Sequence, residues 1–117
     1  MKLYYSPGAC SLASHITLHE VGGPFEIERT DIRAKVTESG ADFRRINPKG
    51  AVPALRLEGG EVLTEGAAIM QYVADRAGAT EFLPAAGTLA RARVQEMLNY
   101  VASEVNKAYS PFFNTAL

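Results

Sequence analysis

A chain of 117 residues can fill one compact core but is marginal for two complete domains. Its 47% hydrophobic and 21% charged content, with a net charge of −1 and mixed signs along the chain, describes an ordinary soluble globular protein. It offers no basic stripe for nucleic acid and no polybasic or lipidation signal for a membrane. The single cysteine, Cys10, excludes an internal disulfide framework and fits a reducing compartment. With no signal-peptide pattern and no membrane-length apolar run, the expected location is the cytoplasm.

Lys2 to Tyr5 reads as a short strand running into a Ser6-Pro7-Gly8 turn, followed by Cys10, Ser11 and a helix to about Val21. Leu12, Ala13 and Ile16 form the expected apolar face, and Gly22-Gly23-Pro24 is the stop. A thiol at the first turn of that helix faces unpaired N–H groups and the positive end of the helix dipole, which favour a thiolate. The alternative for Cys10 is a small buried hydrophobe that happens to follow a turn. His15 and His19 lie four apart, a metal-compatible spacing, but no third ligand accompanies them and no metal is expected.

Phe25 to Thr30 alternates Phe25 and Ile27 with Glu26 and Glu28, as in a half-buried strand with the carboxylates outward. Asp31 to Arg45 reads as a polar, solvated connection carrying exposed Arg33 and Lys35, with a helical turn near Asp42 to Ile46. Ile46-Asn47-Pro48-Lys49-Gly50 is turn chemistry, and a strand resumes at Ala51 to Leu57. Pro53 is out of place at that strand start. A cis bond there would turn the Val52 N–H and C=O outward to pair with an extended ligand.

Glu58-Gly59-Gly60-Glu61 makes a hairpin turn back into Val62 to Thr64. Thr64-Glu65-Gly66 then opens a helix with Ile69, Tyr72, Val73 and Ala77 on its apolar side. Gly66 in its first turn costs helix propensity but admits a ligand, an anion above all, to the free N–H groups; a plain capped helix start is the alternative. Gly78 to Gly87 is a connector. Thr88 to about Tyr109 is one long helix with Val94, Met97, Leu98, Val101, Val105 and Ala108 on one face and Asn99, Ser103 and Asn106 on the other, broken at Ser110-Pro111. The expected architecture is therefore α/β, a βαβ unit followed by a hairpin and a helix on one mixed four-stranded sheet, then the start of an all-α region.

The Tyr4-Tyr5-Ser6-Pro7-Gly8-Ala9-Cys10-Ser11, Asn47-Pro48-Lys49-Gly50-Ala51-Val52-Pro53, Leu63-Thr64-Glu65-Gly66 and Leu98-Asn99 to Ser103-Glu104 motifs, at their mutual spacing, resemble those of bacterial beta-class glutathione S-transferases. The resemblance covers essentially the whole chain. It implies a thioredoxin-like glutathione-binding domain over 1–77, a linker over 78–87 and the first part of a helical domain over 88–117. It further implies a cis bond at Pro53, a Val52 backbone that pairs with the cysteinyl part of glutathione, and Glu65 and Gly66 at its γ-glutamyl end. Lys35 then meets the glycyl carboxylate, Cys10 and Ser11 lie at the glutathione sulfur, and Cys10 forms mixed disulfides. Asn99, Ser103, Glu104 and Asn106 match helix positions associated with the site, some of them reaching it across a homodimer interface.

Two departures stand out. Asn106 occupies a position where the family commonly has histidine, and asparagine cannot take up a proton. Family chains also continue well past this length, so an incomplete helical domain with an exposed apolar face is expected. The function expected is conjugation of glutathione, as co-substrate, to small electrophilic, hydrophobic molecules. A one-thiol glutaredoxin-like reductase and a non-catalytic glutathione-binding domain are the alternatives.

Overall fold

The structure, a computed structural model, describes residues 1–113; the last four positions of the expected 88–117 region lie outside the described residues. The chain divides into two units, Met1–Ala79 and a second one beginning at Thr80.

In the first unit, β1 (Lys2–Tyr5), α1 (Ser11–Val21) and β2 (Glu26–Asp31) form a βαβ crossover unit, with β1 and β2 parallel and Leu3 level with Ile27. After β3 (Val36–Thr37) and a single helical turn α2 (Phe43–Ile46) come β4 (Ala54–Arg56), β5 (Val62–Thr64) and α3 (Gly66–Arg76). The sheet order is β3-β2-β1-β4-β5, with every pair but β1–β2 antiparallel. The expected four-stranded sheet is thus five-stranded. Val36–Thr37 adds an edge strand against Thr30 and Asp31, too short to show a periodicity in the sequence. The turn near Asp42 forms as read, its Asp42 carboxylate accepting from the Arg44 N–H at 3.0 Å.

Two cores flank the sheet. Leu3 and Leu55 pack with Leu18, Ile69 and Val73, and Tyr4 and Ala54 pack with Phe43 and Val52. Two side-chain orientations differ from the sequence pattern. On α1 the buried positions are Ser11, Ser14 and Leu18, while Leu12 and Ile16 are 55% and 51% exposed. Small serines let α1 approach its neighbours closely, and the larger residues are left outside. On β2 the alternation is inverted: Ile27 is 41% exposed, whereas Glu28 and Thr30 are buried. The polar segment from Asp31 to Ala41 folds back and covers their side.

The second unit contains α4 (Leu89–Tyr100), a π-helical turn (Val101–Val105), α5 (Asn106–Ala108) and α6 (Ser110–Phe113). Thr88 caps α4, its hydroxyl accepting from the Arg91 N–H at 3.2 Å. The expected continuous α-helix is interrupted by the π turn, which widens the backbone by one residue. Met97, Val101 and Val105 on its apolar face are exposed. No helix among the described residues is long and apolar enough to cross a membrane.

Candidate functional site

Cys10 is placed by the turn between β1 and α1. Gly8 adopts φ +70, which a side chain would resist. The Ser11 hydroxyl donates to the Ser6 carbonyl and accepts from the Ser6 N–H, each at 3.2 Å, closing the turn from within. Ser11 is only 1% exposed, so this hydroxyl is spent on the backbone. Cys10, by contrast, is exposed, and its Sγ–H donates to the Val52 carbonyl at 3.4 Å.

Val52 belongs to a loop that Asn47 organises. The buried Asn47 side chain donates to the Ala51 carbonyl at 2.8 Å and accepts from the Lys49 N–H at 3.1 Å. The Val52–Pro53 peptide is cis. The Val52 N–H has no hydrogen-bond partner among the described residues, leaving an extended backbone edge beside the thiol.

Glu65 and Gly66 stand at the opening of α3. Glu65 holds φ 72, ψ 117, a conformation that costs a non-glycine residue about 1–3 kcal/mol and that collects at ligand sites. A Cβ on Gly66 would only reach ordinary contact with Ser14 Oγ at 3.6 Å and Pro53 Cγ at 3.8 Å, so internal packing does not demand glycine here. The Glu65 carboxylate accepts from Lys49 Nζ at 2.7 Å, and the same ammonium donates to Thr64 Oγ1 at 2.9 Å. Lys49 was legible in the sequence only as part of a turn.

Lys35 is not the exposed loop charge expected. It is half-buried with φ 60, and its Nζ donates to the Gly50 carbonyl at 2.7 Å. A Cβ on Gly50 would come within 3.2 Å of Lys35 Cε, so glycine lets the lysine stem pass. The loop from Asn47 to Pro53 therefore touches Cys10 through Val52, Lys35 through Gly50, and Glu65 through Lys49.

Asn99, Ser103, Glu104 and Asn106 lie in the second unit, all exposed. Ser103 and Glu104 fall in the π turn, and the Ser103 hydroxyl donates to the Asn99 carbonyl at 2.7 Å. Among the described residues no group of three or more side chains could hold a metal. The His15 and His19 rings pack on each other at 5.0 Å, and both meet Phe25 edge-on. An open depression of about 760 Å³, lined by Ser6, Arg29, Thr30, Arg33 and Thr37 among others, lies along β2 and its following loop and does not include Cys10.

The model for the glutathione S-transferase N-terminal domain matches residues 8–76. The chain belongs to the glutathione S-transferase family. It is 50% identical over 113 residues to glutathione S-transferase GstA of Escherichia coli O157:H7, covering 97% of this chain and 56% of that protein. Among solved structures it is 46% identical to the bacterial beta-class glutathione S-transferase of Sphingomonas chungbukensis, with a TM-score of 0.95 over 97% of this chain and 57% of the other. It is also 49% identical, with a TM-score of 0.93 over the same shares, to a sphingomonad glutathione S-transferase solved in complex with glutathione. The thioredoxin-like first unit and the helices that follow are the N-terminal domain of that family and the start of its helical domain. The chain spans a little over half the length of these relatives.

Proposed function

We propose that this chain carries the glutathione site of a transferase that joins glutathione to small, hydrophobic electrophiles, and that Cys10 also exchanges with glutathione disulfides. The observation that carries this reading is the exposed Cys10 thiol 3.4 Å from the Val52 carbonyl, beside an uncommitted Val52 N–H and the open start of α3. Glutathione lies extended along Val52, with Pro53 holding that edge outward. Its γ-glutamyl ammonium meets Glu65, its α-carboxylate meets the Gly66 end of α3, and its glycyl carboxylate meets Lys35. Ser11 acts by pinning the turn that presents Cys10. Asn99, Ser103, Glu104 and Asn106 serve the site of a second subunit in a homodimer working in the cytoplasm. In this reading 1–77 is the binding domain, 78–87 the linker and 88–117 the opening of the helical domain.

In conjugation, the glutathione thiol releases its proton to solvent. The sulfur electron pair then forms the C–S bond, and the leaving group departs with the bonding pair. In exchange, the Cys10 thiolate attacks one sulfur of glutathione disulfide, and the other half leaves as a thiolate.

Intact-mass measurement after incubation with oxidised glutathione tests the site. One adduct of glutathione mass, lost on reduction and absent from Cys10→Ala, is the expected result. A folded protein with no adduct would count against both the site and the exchange. Asn106 favours a second reading, glutathione binding without turnover, because its amide cannot shuttle a proton. Saturable glutathione binding with no conjugation of an aryl halide would support that reading over the first.

A further inference from the structure

Glu28 contradicts the outward-facing carboxylate expected from its strand. It is 7% exposed on β2, level with Tyr4 of β1. Its Oε1 accepts from Lys2 Nζ at 3.1 Å, and its Oε2 accepts from the Ser39 hydroxyl at 2.7 Å and the Ser39 N–H at 3.4 Å. The Ser39 hydroxyl lies 3.1 Å from Thr37 Oγ1, which accepts from the Ala41 N–H at 3.1 Å. One buried carboxylate thus gathers the turn from Thr37 to Ala41.

That turn is the far end of the segment that presents Lys35. β3 is only two residues long, Lys35 directly precedes it, and its pairing with β2 rests on Thr30 with Thr37 and Asp31 with Val36. So short an edge strand is weak by itself and needs side-chain anchors. The other ties on Lys35 do not pass through Glu28: its N–H donates to the Asp31 carbonyl, its carbonyl accepts from the Phe43 N–H, and its ammonium donates to the Gly50 carbonyl 15 positions on. A lysine ammonium has three protons, so two remain for a carboxylate. Burying a charge at position 28 is a poor route to stability when an apolar residue could fill the site. Its return is a fixed position for the loop.

We infer that Glu28 is a positioning residue for glutathione binding: through Ser39, Thr37 and β3 it sets where Lys35 meets the glycyl carboxylate. This rests on the assignment of Lys35 made above. The consequence is selective. Loosening Glu28 weakens recognition of the glycyl end and leaves the γ-glutamyl and cysteinyl ends alone.

Calorimetric titration of the chain and its variants with glutathione and with γ-glutamylcysteine, which lacks the glycyl carboxylate, tests this. The wild-type chain is expected to prefer glutathione, and Lys35→Ala to abolish that preference. Glu28→Gln should weaken glutathione binding about fivefold and change γ-glutamylcysteine binding less than about twofold. In the Lys35→Ala background it should change neither. Equal loss of both ligands, or an unchanged preference, would overturn the positioning role. If Lys35→Ala itself binds glutathione like wild type, the assignment of Lys35 fails and the inference falls with it. If Glu28→Gln does not fold, Ser39→Ala removes a donor to the same carboxylate while keeping Lys2. It should reduce the glutathione preference about twofold, and an unchanged preference would again overturn the role.

Discussion

On one side of the sheet, Leu3 and Leu55 meet Leu18, Ile69 and Val73, an aliphatic core. On the other, Tyr4 and Ala54 share their side with Glu28 and Thr30, and the segment that follows β2 adds Phe43, Thr37 and Asn47 to the buried set. The first side is held by non-directional burial, which tolerates small shifts of α1 and α3. The second adds to its smaller apolar cluster a set of hydrogen bonds, whose narrow distance and angle limits set the loops that carry Lys35, Lys49 and Val52. Stability and placement are thus divided between the faces.

The largest expected effect falls on the aliphatic side. Leu55→Ala should lower unfolding free energy by about 2–5 kcal/mol, read by urea denaturation, with any loss of glutathione affinity following the folded fraction. An equal cost from Thr37→Ala would erase the distinction between the faces.

Asn47→Ala comes next. It strips the Ala51 carbonyl and the Lys49 N–H of their partner inside the fold, at about 1–3 kcal/mol. Unlike Leu55→Ala, it should also weaken glutathione binding in the molecules that remain folded, because the loop bearing Val52 loses its brace.

Acid sharpens the contrast further. The Thr37 hydroxyl, with help from Ser39 and Lys2, holds the Glu28 carboxyl down at about 2, against burial that pushes it up. Its folded value lies below the ordinary 4.5, so the unfolded chain binds the proton more readily. The stabilisation is complete above pH 4.5 and is lost as pH falls towards 2. Asp31, held down by the Ala34 and Arg33 amides, acts in the same direction. Thermal melts between these limits should show a shallower acid loss for Glu28→Gln than for the wild type, though not a flat one. Identical slopes would place the acid-sensitive group elsewhere.

The smallest effect belongs to the exposed pair of Lys49 and Glu65. Lys49→Ala should change stability by no more than about 1 kcal/mol in urea. A larger cost would mean that this exposed pair carries structure.

Much of this was legible beforehand. The Ser-Pro-Gly turn before Cys10, the hairpin at Gly59 and Gly60, the Thr88 helix start and the misfit of Pro53 are local chemistry, set by φ preferences, missing N–H groups and caps. Their ends could be read because the causes lie within a few residues. The two-residue strand at Val36 and Thr37, the inward turn of Glu28, and the contacts of Lys35 with Gly50 and of Lys49 with Glu65 were not. The strand pairs residues five and seven positions apart but is too short to show a periodicity, and the other contacts join residues 11 to 16 positions apart. Alternation on β2 pointed the wrong way because it assumes that polar side chains seek water. Here Lys2 and the folded-back segment supply the hydrogen bonds of Glu28, and the Thr30 hydroxyl is buried with no partner among the described residues.

By itself, then, the sequence determined the order of elements apart from β3 and the π turn, the turns that deliver Cys10 and Val52 to one end of a sheet, and the family motifs that mark them. Those depend on backbone preferences that each short stretch expresses alone. Only the tertiary structure decided which face of β2 is buried, what partners the Lys35 and Glu65 charges hold, and that Ser11 braces a turn. A side chain's partner depends on which distant segment the fold brings within about 3 Å of it.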